Sequence, residues 1–144
     1  MKDRFKNLAN YSHIAWDFDG VLVDDKTSRE FHEFIKTNPF DQVHSIVTFR
    51  SHQLVGQMSG DLSDYGIITL DVFKNIIRLP NAMYVQYEPL LRKQDLSPEI
   101  NPYLEWKGRQ CSLIGADVLI DDMGAMVTMG CNKYNIDYLH PWDV

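Results

Sequence analysis

The chain has 144 residues, the length of one ordinary domain, enough to bury a single core and too few for two. Its apolar fraction of 44% and charged fraction of 24% are globular values that exclude a disordered tail. A net charge of -6 offers no general attraction to phosphate backbones or anionic lipid, and no apolar run approaches the roughly 20 residues that span a bilayer, so neither non-specific nucleic-acid binding nor a membrane partner is expected.

Residues 1–13 show no clear period and read as a short lead-in helix. Met1 to Asn7 lacks the apolar stretch of a signal peptide, so a cytoplasmic location is the expectation. Ile14–Phe18 is the first strand, and its near-continuous hydrophobicity suits a strand covered on both faces. It delivers Asp17 and Asp19, one residue apart, onto Gly20. Side chains at i and i+2 of an extended strand point the same way, so both carboxylates would face one site if strand geometry persists, with Gly20 supplying a sharp exit. Two acids at the end of a buried strand are costly to hold without a cation between them.

Val21–Asp25 reads as an extended arm on which Asp24 and Asp25 are solvated. Thr27-Ser28-Arg29-Glu30 has the form of a capping box, and Phe31, Phe34 and Ile35 follow at helical spacing as far as Asn38-Pro39. Val43–Thr48 is a β-branched second strand that runs into Phe49, Arg50 and Ser51. Residues 51–66 read as helical through Leu54, Val55, Met58 and Leu62, closing at Gly66. Ile67–Leu70 is either a strand or the start of the Asp71–Leu79 segment, and Ala82–Tyr87 reads as a third strand. Four of the six prolines fall between Pro80 and Pro102, so that segment is expected to be irregular, either a packed surface loop or a substrate-facing element. Leu104–Gly115 is a helix with Lys107 near its start. Val118–Ile120 is a buried strand that finishes in Asp121 and Asp122, Gly124–Cys131 a short helix, and Ile136–Leu139 a last strand. Cys111 and Cys131 read as buried apolar residues, and His13, His32, His44, His52 and His140 show no metal-ligand spacing.

Strands alternating with helices predict an α/β fold: a doubly wound, Rossmann-like, mostly parallel sheet of about five strands with helices on both faces. In such sheets the ligand sits beyond the carboxyl ends of the strands. Asp17, Asp19, Thr48, Asp121 and Asp122 all lie at such ends, on three different strands.

In this order the residues resemble the haloacid dehalogenase superfamily of aspartate-nucleophile phosphohydrolases, from Ile14 to about Leu139, which makes 1–144 a single domain of that kind. The resemblance rests on Asp17-Phe18-Asp19-Gly20-Val21 after an apolar strand, on Thr48 after the second, on a lysine near a helix start, and on Asp121-Asp122 after a later strand. It implies a magnesium-dependent phosphomonoesterase. Asp17 would attack phosphorus to form an aspartyl phosphate, and Asp19 would protonate the leaving oxygen and then activate water. Mg²⁺ would lie on the carboxylates of Asp17 and Asp121 and the backbone carbonyl of Asp19, with Asp122 a direct or water-mediated partner. Thr48 would hydrogen-bond a phosphoryl oxygen and a lysine would neutralise charge there. Lys107 matches best, with Lys93 the alternative. Arg50 stands where many members carry a substrate-reading arginine, and Gly20 joins Thr48 and Arg50 as a substrate-binding position.

Between Asp17 and Thr48 there is room only for an arm, one helix and one strand, so no full cap domain is expected; the Pro80–Pro102 segment is at most a mini-cap. The resemblance then implies a phosphorylated macromolecule or nucleotide docking over an open site, or a homo-oligomer in which a neighbouring subunit acts as lid. Two other functions fit the fold: a binding or scaffold protein without useful catalysis, and a phospho-receiver domain, in which the acidic pair would come first and the lone aspartate later. Dehalogenase or phosphonatase chemistry is disfavoured because Asp19 serves ester hydrolysis.

Overall fold

The computed structural model describes residues 4–51, 55–93 and 98–144. The described elements are β1 (His13–Trp16), α1 (Ser28–Thr37), β2 (Val43–Ser51), α2 (Val55–Ser63), β3 (Ile76–Leu79), α3 (Asn81–Arg92), α4 (Asn101–Ile114), β4 (Val118–Ile120), α5 (Gly124–Lys133) and β5 (Asp137–Leu139), with short 3-10 turns between some of them. The sheet runs β3-β2-β1-β4-β5 and every pairing in it is parallel. It is the doubly wound α/β sheet that the alternation predicts. The chain leaves β1 toward β2 and β3, then returns to β1's other side with β4, so the strand order reverses between β1 and β4. In open α/β sheets such a reversal, at the carboxyl ends of the strands, is where ligands sit.

Strand alternation divides the core into two layers. Ile14, Trp16, Ile46, Val118 and Ile120 pack against Phe31, Phe34 and Ile35 of α1 and Met58 and Leu62 of α2. On the other face Ala15, Val47 and Leu119 meet Tyr87 of α3, Tyr103, Trp106 and Cys111 of α4, and Val127 and Cys131 of α5. Both faces being covered explains why β1, β2 and β4 read as continuous apolar runs. The indole of Trp16 is fully buried, 5.2 Å from the Phe31 ring centre, and its N–H donates to Nδ1 of His44 at 3.0 Å. His44 Nε2 lies 3.1 Å from Asn38 Oδ1, so the ring is neutral and carries its proton on Nε2. The two cysteines are free and buried, as expected.

Several local expectations are corrected. Ala82–Tyr87 is not a strand; the third strand is Ile76–Leu79 and Ala82–Tyr87 belongs to α3. Met83, Val85 and Tyr87 mimic a period of two, but Val85 is exposed, and the residues turned toward the core are Met83, Tyr87, Leu90 and Leu91, at helical spacing. Pro80, extended at φ -60° and ψ 142°, starts this helix, and Pro89 lies within it. The Pro80–Pro102 segment is therefore largely helix packed on the sheet, not a mini-cap, with residues 94–97 outside the described set. Ile67–Leu70 is no strand; Leu70–Val72 is a 3-10 turn. The helix expected over 51–66 is α2, Val55–Ser63, while Ser51 ends β2; His52 and Leu54 lie outside the described residues. The lead-in helix is a single 3-10 turn at Lys6–Leu8.

The capping box does not form, because Thr27 is already in the helical region and makes no side-chain cap. Asp25 takes that place: its Oδ2 accepts from the Thr27 N–H at 3.0 Å and from the Thr27 hydroxyl, so Asp25 is not a solvated arm residue. The arm from Val21 is fastened further by the Ser28 hydroxyl on the Val21 carbonyl at 2.7 Å and by His32 Nε2 on the Leu22 carbonyl at 2.7 Å. Among the described residues no helix is long and apolar enough to cross a membrane.

Candidate active site at the carboxyl ends of β1 and β4

Asp17 follows β1 and Asp121 follows β4, so the two residues stand at the carboxyl ends of adjacent strands. The Asp17 N–H donates to the Ile120 carbonyl at 2.9 Å, which ties the two strand ends together. Between the carboxylates stands Lys107, 1% exposed, its Nζ 2.7 Å from Asp17 Oδ1 and 2.6 Å from Asp121 Oδ2. Asp17 Oδ1 also accepts from the Phe18 N–H at 2.8 Å, and Asp121 Oδ1 from the Met123 N–H at 2.8 Å. Tyr138 of β5 donates its hydroxyl to the Asp121 carbonyl at 2.7 Å.

Lys107 reaches the centre because α4 and α5 cross in near backbone contact. A Cβ on Gly108 would lie 2.2 Å from the carbonyl carbon of Gly130, and one on Gly130 would lie 2.6 Å from the Glu105 oxygen. Only glycines permit this approach. The lysine is in the second turn of α4, and its ammonium lies 4.4 Å from the ring centre of Phe49, itself stacked on Tyr103 at 4.4 Å. Lys93, at the end of α3, is exposed and makes no contact with the carboxylates.

Asp122 completes a group of three. One carboxylate oxygen from each of Asp17, Asp121 and Asp122 lies within 4.8 Å of the others. Asp122 Oδ1 is buried without a hydrogen-bond partner, and Asp122 Oδ2 lies against Gly20, where a Cβ would come within 2.2 Å of it. Gly20 also adopts φ +78°, so it is required both for its backbone and for its missing side chain. Its N–H donates to the Val23 carbonyl at 2.9 Å.

Burial pushes the Asp17 carboxyl from the usual 3.8 up to about 8, Asp121 and Asp122 push the same way, and Lys107 pulls against them. Burial alone would lower the Lys107 ammonium; Asp17 and Asp121 outweigh it and raise it above the usual lysine range. If all three carboxylates were ionised, one ammonium would leave two negative charges in excess; without a cation that excess keeps Asp17 protonated, and a divalent cation would balance it. The donors are all hard carboxylate oxygens, and Asp122 contributes a buried oxygen without a partner among the described residues, so the cluster could hold a hard divalent cation.

Asp19, Arg50 and Thr48 hydrogen-bond to one another or to Asp61 and make no hydrogen bond to Asp17, Lys107, Asp121 or Asp122. The Asp19 carboxylate is half exposed and held by Arg50, whose Nε and Nη2 donate to its two oxygens at 2.9 and 2.8 Å. The Asp19 carboxylate is not part of the group formed by Asp17, Asp121 and Asp122; strand geometry ends at Trp16, and Phe18 opens a turn whose carbonyl accepts from Leu22 at 2.9 Å. Arg50 Nη2 also donates to Asp61 Oδ2 of α2 at 2.8 Å, and the guanidinium lies 4.8 Å from the ring centre of Phe18. Arg50 takes this place because β2 is irregular against β3: Thr48 pairs with Arg78 and Ser51 with Leu79, leaving Phe49 and Arg50 bulged out. Thr48 is buried, its hydroxyl accepting from the Arg50 N–H at 3.1 Å. Phe49, Asp61 and Tyr138 went unmarked in the sequence. Phe49 and Tyr138 look like any core aromatic, and Asp61 like any exposed helix charge.

No family model matches the chain, and no curated protein does. Three solved structures align with the chain at low identity. An uncharacterized protein from Corynebacterium glutamicum aligns at 12% identity and TM-score 0.49 over 90% of this chain and 83% of its own. A universal stress protein solved in complex with cAMP aligns at 10% identity and TM-score 0.45 over 90% and 95%. The 3-deoxy-D-manno-octulosonate 8-phosphate phosphatase from Moraxella catarrhalis, solved with magnesium, phosphate and KDO, aligns at 15% identity and TM-score 0.35 over 85% and 63%. The chemistry of the site rests on its own residues.

Proposed function

We propose that this chain is a magnesium-dependent phosphomonoesterase of the haloacid dehalogenase kind, working through an aspartyl phosphate. The observation that carries the reading is the convergence of Asp17, Asp121 and Asp122 with the buried ammonium of Lys107 at the strand reversal between β1 and β4. Mg²⁺ held by Asp17, Asp121 and Asp122 would supply the positive charge that lets an anionic nucleophile approach an anionic phosphate.

In this reading an Asp17 carboxylate oxygen attacks phosphorus. Its new bond to phosphorus forms as the bond to the leaving oxygen breaks, and the Asp19 carboxyl gives that oxygen its proton. Water then attacks phosphorus and gives a proton to Asp19, the bond from phosphorus to Asp17 breaks, and inorganic phosphate leaves. Lys107, fixed at Asp17, neutralises charge on the phosphoryl oxygens. Arg50, Thr48 and Gly20 line the approach as substrate-binding positions. A site without a full cap domain over it would suit a phosphate carried on a protein or nucleotide, or one closed by a second subunit.

The test is hydrolysis of p-nitrophenyl phosphate with and without Mg²⁺. Turnover that requires the metal and disappears in Asp17→Asn is expected, while Asp19→Asn keeps Mg²⁺ binding by calorimetry and loses turnover. Activity that survives Asp17→Asn refutes the nucleophile, and loss of metal binding in Asp19→Asn refutes the division of roles.

A further inference from the structure

Arg50 is shared between two carboxylates, and the second of them, Asp61, has no place in the mechanism above. We propose that Asp61 is a positioning residue: it keeps Arg50 paired while Asp19 lets go of it, and so frees Asp19 to meet the leaving oxygen. This rests on the hydrolase reading.

Both Asp19 oxygens are taken by Arg50, at Nε and Nη2, so the carboxyl cannot reach a substrate without giving up that bidentate contact. The Arg50 side chain is only 11% exposed, and its Nη1 is buried with no partner among the described residues. Were Asp19 its sole carboxylate, releasing it would strand a desolvated guanidinium, which is strongly unfavourable. Asp61 removes that obstacle. Its Oδ2 already sits 2.8 Å from Nη2, carried by α2 and not by the turn that holds Asp19, so Arg50 keeps an anchor when Asp19 turns. The bulge at Phe49 and Arg50 brings the guanidinium between the two acids, and the Phe18 ring beneath it limits where else it can go. With Asp19 turned away, Nε and one Nη2 hydrogen become free for an oxygen of the bound ester.

The proton that Asp19 delivers matters for an alkoxide leaving group and hardly at all for a stabilised phenolate, so comparing two esters isolates the step. With Mg²⁺ present, kcat/KM, which reports only the steps up to loss of the leaving group and not the hydrolysis common to both esters, is measured on ethyl phosphate and on p-nitrophenyl phosphate for the parent chain, Asp61→Asn and Asp61→Glu. The ratio of kcat/KM on the ethyl ester to kcat/KM on the aryl ester is expected to fall about tenfold in Asp61→Asn. In Asp61→Glu, which restores a carboxylate, it should return to within about twofold of the parent. An equal loss on both esters is the mark of a merely structural residue and overturns the proposal, as does an unchanged ratio. A parent chain inactive on both esters overturns the hydrolase reading itself, and the role of Asp61 with it.

Discussion

Replacing Asp17 by Asn should abolish turnover and, in the absence of metal, make the protein more stable. Asp17 sits in a buried site with Asp121, Asp122 and a single ammonium, and its carboxyl is raised from 3.8 to about 8. The folded chain therefore binds a proton that the unfolded chain has released across this window. Stability tied to Asp17 is fully present below about pH 4 and is lost as pH rises toward 8, at up to about 1.4 kcal/mol per pH unit. Asn keeps the shape and the Oδ1 acceptor for Lys107 and the Phe18 N–H but has no charge to bury. At pH 8 in EDTA, Asp17→Asn should exceed the parent by about 2–4 kcal/mol, or roughly 5–15 °C in Tm. The gap should narrow by pH 5 and shrink when Mg²⁺ is added, since the metal stabilises the three-carboxylate parent more. Urea unfolding at the two pH values, in EDTA and in Mg²⁺, measures all of this. A variant less stable than the parent at pH 8 in EDTA refutes the claim that the site is held against excess negative charge.

Lys107→Met removes the ammonium that bridges Asp17 and Asp121 and should cost about 3–5 kcal/mol in EDTA, with a larger rise in Tm on adding Mg²⁺ than the parent shows; thermal unfolding reads both. His44, buried and neutral, has its pKa lowered by burial and by His13 to about 4. Its contribution to stability is fully present above about pH 6.5 and is lost as pH falls toward 4, by up to about 3 kcal/mol, so His44→Gln should flatten that part of the parent's urea-unfolding profile. Gly108→Ala drives a Cβ into the Gly130 backbone and should destabilise by about 3 kcal/mol or more, whereas Gly60→Ala, with nothing within 4 Å of its Cβ, should stabilise by about 0.5–1 kcal/mol in the same assay.

The parts of the fold that the sequence made legible are those governed by neighbours in the chain. Continuous apolar runs marked β1, β2 and β4, because burial on both faces leaves no polar alternation. The same runs ended in Asp17, Thr48 and Asp121-Asp122, which placed the chemistry at the carboxyl edge before any contact was known. Where the local signal was ambiguous the reading failed. Residues 82–87 carry both a period of two and a period of 3.6, and only packing on Ala15, Val47 and Leu119 selects the helix.

What the sequence determined by itself was the kind of site: carboxylates at strand ends, an Asp-x-Asp-Gly turn and a lysine to meet them. What only the tertiary structure decided was which charges touch. Lys107 rather than Lys93 reaches the carboxylates because Gly108 and Gly130 let two helices close to backbone contact, an event between residues far apart in the chain. Asp19 pairs with Arg50 and does not join the group around Asp17 because β1 ends one residue before Asp17 and β2 bulges at Phe49 and Arg50. A bulge and a helix crossing are settled by the fit of whole surfaces, and no short-range pattern encodes that fit.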